Sequence, residues 1–181
     1  MINLYEPAND WKRLKTACSS HGYVPRESLP LDNLDTTLKD ISAEYDEIFT
    51  INRMRRDLRG PVQVMLVEDD PFARKIVSKC LRKNQQLITT GTAQDAVTQY
   101  MLNAPDIVFL DIGLPDHDGF SVINAIKAHD PDAFIVMFSG NNFSDHITRS
   151  LSNGAKGFIG KPFRKEQLFH YIDECKQRRL N

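Results

Sequence analysis

Five short runs that read as strands, the second of them weak, follow Gly60-Pro61, and each is separated from the next by a stretch of helical periodicity. The runs are 62–67 (VQVMLV), 86–90, 106–110 (DIVFL), 133–138 (AFIVMF) and 156–160. The helical stretches are 71–83, 93–102, 119–129, 143–152 and 164–178. Pro71 stands at a tolerated first-turn position, Asp118 suits the N-cap of the helix that follows it, and Gly154 suits a C-cap. Strands that are apolar on both faces belong in a parallel sheet covered by helices on each side. Right-handed crossovers then predict a doubly wound α/β domain over residues 61–181.

In such a sheet, ligands gather at the carboxyl ends of the strands. Glu68, Asp69 and Asp70 follow the first strand, and Asp111 follows the third. Ser139 and Gly140 follow the fourth, and Lys161 and Pro162 the fifth. Clustered carboxylates repel one another and need a cation. A few hard oxygen ligands suit Mg2+, which takes water and phosphate oxygens for the rest of its shell. The lysine supplies a point charge for an anion, and the serine a donor. Together these residues predict a site where a phosphoryl group meets an aspartate carboxylate in line.

The segments VMLVEDDP (64–71), DIVFLDIGLPDHDG (106–119), FIVMFSG (134–140) and GAKGFIGKPF (154–163) resemble the receiver domain of bacterial two-component response regulators. The resemblance covers about two thirds of the chain. It implies a flavodoxin-like sheet in the order 2-1-3-4-5. It implies that Asp111 is the phosphoacceptor and that Lys161 contacts the acyl phosphate. Mg2+ would be held by Asp69 and Asp111, by the backbone carbonyl of Gly113, and by Glu68 mainly through water. Ser139 would reach a phosphoryl oxygen, Phe158 matches an aromatic switch position, and the Lys161-Pro162 bond matches one that is usually cis in the family. Gly113 and Asn141 occupy positions that tune dephosphorylation in the family, and neither obviously shields the site or positions a water.

Neighbouring polar residues have simpler readings. Asp70 reads as a solvated neighbour rather than a ligand. Asp116-His117-Asp118 reads as a polar loop with a helix cap rather than a metal triad.

Residues 1–60 form a helical N-terminal extension. Leu31, Leu34, Leu38, Ile41, Tyr45 and Ile48 make a heptad-spaced seam. Continuing it places Asn52 and Arg55 on the seam while Ile51, Met54 and Leu58 drift off, so a stutter is expected in a helix reaching Leu58. The seam either pairs with a second copy, giving a homodimer through residues 31–58, or packs on the receiver; self-association is slightly preferred. Arg53, Arg55, Arg56 and Arg59 sit at the C-terminus of this helix, where positive charge offsets the macrodipole. Residues 10–38 also weakly echo residues 145–172, with Arg26 falling where Lys161 does, as in a remnant of another receiver. An unrelated helical hairpin explains that stretch equally well.

Charge narrows the partners. The 23 basic and 24 acidic side chains leave a net charge of −1, with no global basic field for nucleic acid or an anionic membrane. No apolar run is long enough to span a bilayer, and MINLYEPANDWKR has no signal-peptide core. Cys18, Cys80 and Cys175 have no metal-binding spacing and read as reduced thiols, which fits a cytoplasmic location.

The expected function is a phosphorylation-driven signalling switch without a visible output domain. A sensor histidine kinase or histidine phosphotransfer protein would be the donor, and a downstream effector protein would be contacted through the last strand and its flanking helices, or through the extension. Two alternatives stand beside it: a transcription regulator binding DNA through residues 1–60, and an unphosphorylated pseudo-receiver that only docks. The acidic character of 32–48 argues against a recognition helix. An enzyme acting on outside substrates is not expected, because Gly113 stands where aspartyl-phosphate phosphatases carry a second aspartate and no nucleotide-binding glycine loop is present.

Overall fold

The computed structural model describes residues 34–56, 58–81, 85–140 and 144–178. Two helices come first, α1 (Leu34–Glu44) and α2 (Asp46–Arg56). Five β–α units follow: β1 (Gln63–Val67) and α3 (Pro71–Cys80); β2 (Gln86–Thr90) and α4 (Ala93–Asn103); β3 (Ile107–Leu110) and α5 (Gly119–His129); β4 (Ile135–Ser139) and α6 (Ser144–Ser152); β5 (Gly157–Gly160) and α7 (Lys165–Arg178). Every expected strand and helix of 61–181 is present, with ends shifted by up to three residues.

The strands form one all-parallel sheet in the order β2-β1-β3-β4-β5. Alternate residues serve opposite faces, and both faces are apolar. Met65, Val67, Val108, Leu110, Ile135 and Met137 pack with α4 and α5 through Val97, Met101, Ile123 and Ile126. Val64, Leu66, Ile107, Phe109, Val136 and Phe138 pack with Val77 of α3 and with Leu168 and Ile172 of α7. The double burial predicted from the strand composition holds for the central strands β1, β3 and β4, while the edge strand β2 is only partly covered. The Lys161–Pro162 peptide is cis.

Helix ends follow local chemistry. Asp70 accepts hydrogen bonds from the amides of Phe72 (2.9 Å) and Ala73 (3.2 Å) at the start of α3. Asp118 accepts one from Ser121 (2.8 Å) at the start of α5. Each satisfies amides that a helix leaves without an internal partner.

The extension differs from the single stuttered helix. The helix breaks at Tyr45 between α1 and α2, and the break rotates the buried stripe by one residue. Leu38 and Phe49 are buried in the same core cluster as α4 and α5, with Ile41 and Tyr45 packed against it. Phe49 stacks on Tyr100, ring centroids 5.8 Å apart. Within the described residues the seam is therefore used inside the chain: residues 33–181 form one compact unit, and α1 and α2 pack on α4 and α5. Leu31 and the stretch 10–33, which carries Cys18, Arg26 and most of the receiver echo, lie outside the described residues.

The arginine cluster is spent across the chain rather than along its own helix. Arg56 Nη2 lies 2.7 Å from Oδ2 of Asp130, and the Tyr100 hydroxyl lies 2.6 Å from the same oxygen. Arg53 stands 3.6 Å from Asp132. Asn52 donates to the carbonyl of Leu102 (2.5 Å), and Arg59 donates to those of Asn103 (3.1 Å) and Ala104 (2.6 Å). These are carbonyls that the end of α4 leaves without an internal partner, so α2 and the turn after it supply both the donors and the positive charge that this end requires. Arg55, placed on the seam by its spacing, is exposed, and Arg56 takes the inward position.

Candidate functional site

The site forms where β1, β3, β4 and β5 end. The register Val67↔Leu110 makes the next residues of β1 and β3 neighbours, so Glu68 and Asp111 meet at the sheet edge. Backbone bonds hold them there: Glu68 N–H to the Thr90 carbonyl (3.0 Å), and Asp111 N–H to the Val67 carbonyl (2.9 Å). Lys161 follows β5, where its amide donates to the carbonyl of Ser139 (2.9 Å). Its side chain lies over the Phe138 ring, with Nζ 4.9 Å from the centroid. From there it reaches both carboxylates, Oδ2 of Asp111 at 2.7 Å and Oε2 of Glu68 in a short ion pair.

Carboxylate oxygens of Glu68, Asp69 and Asp111 all lie within 4.8 Å of one another. Glu68 and Asp111 are buried while Asp69 is exposed, so the cluster opens to solvent on one side. Three carboxylates against one ammonium leave two negative charges, which is the charge of one divalent cation. An all-oxygen donor set of this size suits Mg2+, which retains waters in the remaining positions. Asp70 is no part of the cluster, because its carboxylate is used as a helix cap.

Burial raises the Glu68 carboxyl above its usual range. Its bond and charge pairing with Lys161 oppose that shift, and the charge of Asp111 adds to it. Burial also works against the Lys161 ammonium, but its hydrogen bonds to Asp111 and Glu68 prevail and hold it above its usual value. The lysine is thus kept charged by the acids it neutralises.

The remaining expected residues sit around this centre. Ser139 is buried as the last residue of β4, and Phe158 is half-buried in β5, packed against the α4–α5 core. The amide of Gly113 makes a long 3.3 Å bond to Asp111 Oδ1. Asn141 lies outside the described residues. Of the loop acids, Asp116 accepts from the amides of Ala93 (2.8 Å) and Gln94 (3.0 Å), capping α4. Burial opposes its charge, but these two amides and His117 outweigh that and lower its pKa. With Asp118 capping α5, both acids are accounted for as caps.

Two residues at the site are not evident from sequence spacing. Arg74 of α3 donates to the carbonyl of Asp69 (2.9 Å) and, in a shorter bond, to that of Glu68, so it braces the backbone carrying both acids. Gly119 abuts the phosphoacceptor candidate, since a Cβ there would lie 2.3 Å from the carbonyl oxygen of Asp111. A glycine directly after a capping aspartate was the available signal for the second. Arg74 leaves no signal, because only the fold brings it back over β1.

Comparison with known proteins agrees with this construction. A family model of the response regulator receiver domain matches residues 64–173. The chain is 30% identical over 114 residues to the chemotaxis protein CheY of Bacillus subtilis, a match covering 62% of this chain and 95% of that protein. It is 31% identical over 107 residues to the transcriptional regulatory protein KdpE of Staphylococcus aureus, covering 59% of this chain but only 46% of that one. Among solved structures, a CheY-like receiver domain protein of Methanospirillum hungatei superposes with a TM-score of 0.62 at 21% identity, over 66% of this chain and 97% of the other. A LuxR-family two-component response regulator of Aurantimonas gives 0.59 at 25% identity, over 64% and 84%.

Proposed function

The chain belongs to the response regulator receiver family, and on that premise we propose that it is a phosphorylation switch with Asp111 as phosphoacceptor. Residues 61–181 are read as the receiver and residues 1–60 as an extension whose described part packs on it. The observation that carries this reading is the Lys161 ammonium bridging Glu68 and Asp111 in a pocket of three carboxylates.

Asp69, Asp111 and the Gly113 carbonyl would hold Mg2+, with Glu68 acting through water. Bound there, the ion would offset the charge of the phosphoryl oxygens and of the acids around them. The Asp111 carboxylate attacks phosphorus in line. A P–O bond forms as the P–N bond of a donor phosphohistidine breaks, and the departing imidazole takes up a proton. Lys161 moves its ammonium from the carboxylate to the phosphoryl oxygens, and Ser139 donates to one of them. Phe158 follows Ser139 as the surface around β5 changes arrangement. The donor class is a sensor histidine kinase or histidine phosphotransfer protein, and the signal passes to a downstream effector by protein contact. The only turnover is of the protein's own acyl phosphate. Among the described residues no helix is long and apolar enough to cross a membrane, in keeping with a cytoplasmic site of action.

Intact mass after incubation with Mg2+ and acetyl phosphate tests the reading. One added phosphoryl group in the native chain, absent in Asp111→Asn, is expected. No uptake by the native chain would leave a pseudo-receiver that only docks.

A further inference from the structure

We infer that the outward face of α2 is a self-association surface, which pairs antiparallel with the same face of a second copy of this chain. The inference rests on no part of the phosphorylation reading.

Helix α2 has one side turned into its own chain and an opposite side turned to solvent. Its inward side, Phe49 with Asn52 and Arg56, is consumed by α4 and by Asp130. Its outward side carries Ile51 (52% exposed) and Met54 (71%), and the stripe continues at Leu58 (86%) just past the helix. The spacing of three residues puts Ile51 and Met54 on one stripe of the helix, and Leu58 follows in the turn after its end. Isolated exposed apolar residues are ordinary, but two on one stripe with a third just beyond, on a helix whose other side is already covered, offer an apolar patch.

Charge selects the occupant. Glu47 lies four residues before Ile51, and Arg55 lies four residues after it, on the same row of the helix. Both are exposed, and neither is in an ion pair among the described residues. A two-fold axis through Ile51 of antiparallel helices sets Glu47 of each copy opposite Arg55 of the other and closes the apolar stripe between them. A parallel pairing would set Glu47 against Glu47 and Arg55 against Arg55. The surface is therefore complementary to itself in one orientation. It closes on a dimer rather than propagating, because both copies use the same patch. Three apolar side chains per copy make a small interface, below about 1,200 Å2, so association is weak and depends on concentration.

The test is sedimentation equilibrium of the full chain from about 10 μM to about 1 mM, without phosphodonor, the range in which a small interface dissociates. The native chain is expected to move from one-chain to two-chain mass. Met54→Glu is expected to weaken association at least tenfold. Glu47→Arg alone and Arg55→Glu alone each create two like-charge contacts, and each is expected to be monomeric. An equimolar mixture of these two single variants recovers both ion pairs and is expected to dimerise, which also shows that the variants are folded. A native chain that stays at one-chain mass throughout would overturn the proposal. So would a dimer indifferent to Met54→Glu and to the charge changes.

Discussion

Arg56 and Asp130, 74 residues apart in sequence, meet in an ion pair of 2.7 Å, and the aspartate side chain is wholly removed from solvent. This pair ties the N-terminal helices to the end of α5 and supplies the positive charge that a buried carboxylate requires. Removing the arginine leaves that carboxylate buried with only the Tyr100 hydroxyl and the more distant, half-exposed Arg53, whose Nη2 is 3.9 Å from Oδ1. Arg56→Ala is expected to destabilise the fold by about 3–5 kcal/mol. Met54→Ala, on the outward side of the same helix, is expected to cost less than about 0.5 kcal/mol. Urea unfolding of the two variants separates them.

The same pair sets a pH signature. Burial opposes ionisation of Asp130, but the Tyr100 hydroxyl and the Arg56 guanidinium outweigh it and hold the carboxyl below its usual range. A folded pKa below the unfolded one means the contribution is complete above the unfolded value of about 3.9 and is lost as pH falls through the folded value. Asp130→Asn is expected to unfold with a shallower acid dependence below pH ~4 than the native chain. In Arg56→Ala, burial faces weaker opposition and the carboxyl moves up, so the stability gap to the native chain narrows on acidification. Unfolding curves between pH 7 and pH 3 measure both.

Lys161 occupies the carboxylates that would receive a cation. Lys161→Ala removes one positive charge from the cluster and is expected to tighten Mg2+ binding by about tenfold, the value of one unit charge at close range in a partly solvated site. Phosphoryl uptake by the same variant is expected to slow by about 10²-fold, since on the proposed reading the lysine is the protein's own cation for the developing charge. Calorimetric titration with Mg2+ and the rate of mass gain with acetyl phosphate should therefore move in opposite directions. Parallel loss of both would count against the assigned role.

Gly119 is required by close approach. A Cβ at 119 would lie 2.3 Å from the Asp111 carbonyl oxygen and 3.0 Å from Ile112 Cα, both backbone atoms that cannot rotate away. Gly119→Ala is expected to cost about 1–3 kcal/mol and to displace Asp111, lowering phosphoryl uptake. Gly113→Ala meets nothing within 4 Å and is expected to leave stability unchanged. Thermal unfolding of the two variants decides it.

The receiver half was legible because its determinants are local. Apolar runs of four to six residues, helix caps such as Asp70 and Asp118, and polar residues placed directly after strands specify a parallel sheet and a polar edge. The sheet order then brings Glu68, Asp111 and Lys161 together. The extension was legible only as an amphipathic pattern. Periodicity shows which side of a helix is apolar but not what covers it, and the break at Tyr45 moves the inward position from Ile48 to Phe49 and from Arg55 to Arg56. Arg74 and Gly119 were hidden for a related reason: each acts on the backbone of another segment.

By itself, then, the sequence determined the five β–α units and the chemistry gathered at their carboxyl edge, because strand composition and strand-end residues act within a few positions of one another. Only the tertiary structure decided that the heptad face of α1 and α2 is buried within its own chain and that the arginines close α4 and neutralise Asp130. The arginine contacts join residues 44 or more positions apart, and the energy of both comes from burial and charge pairing that exist only once the helices are packed.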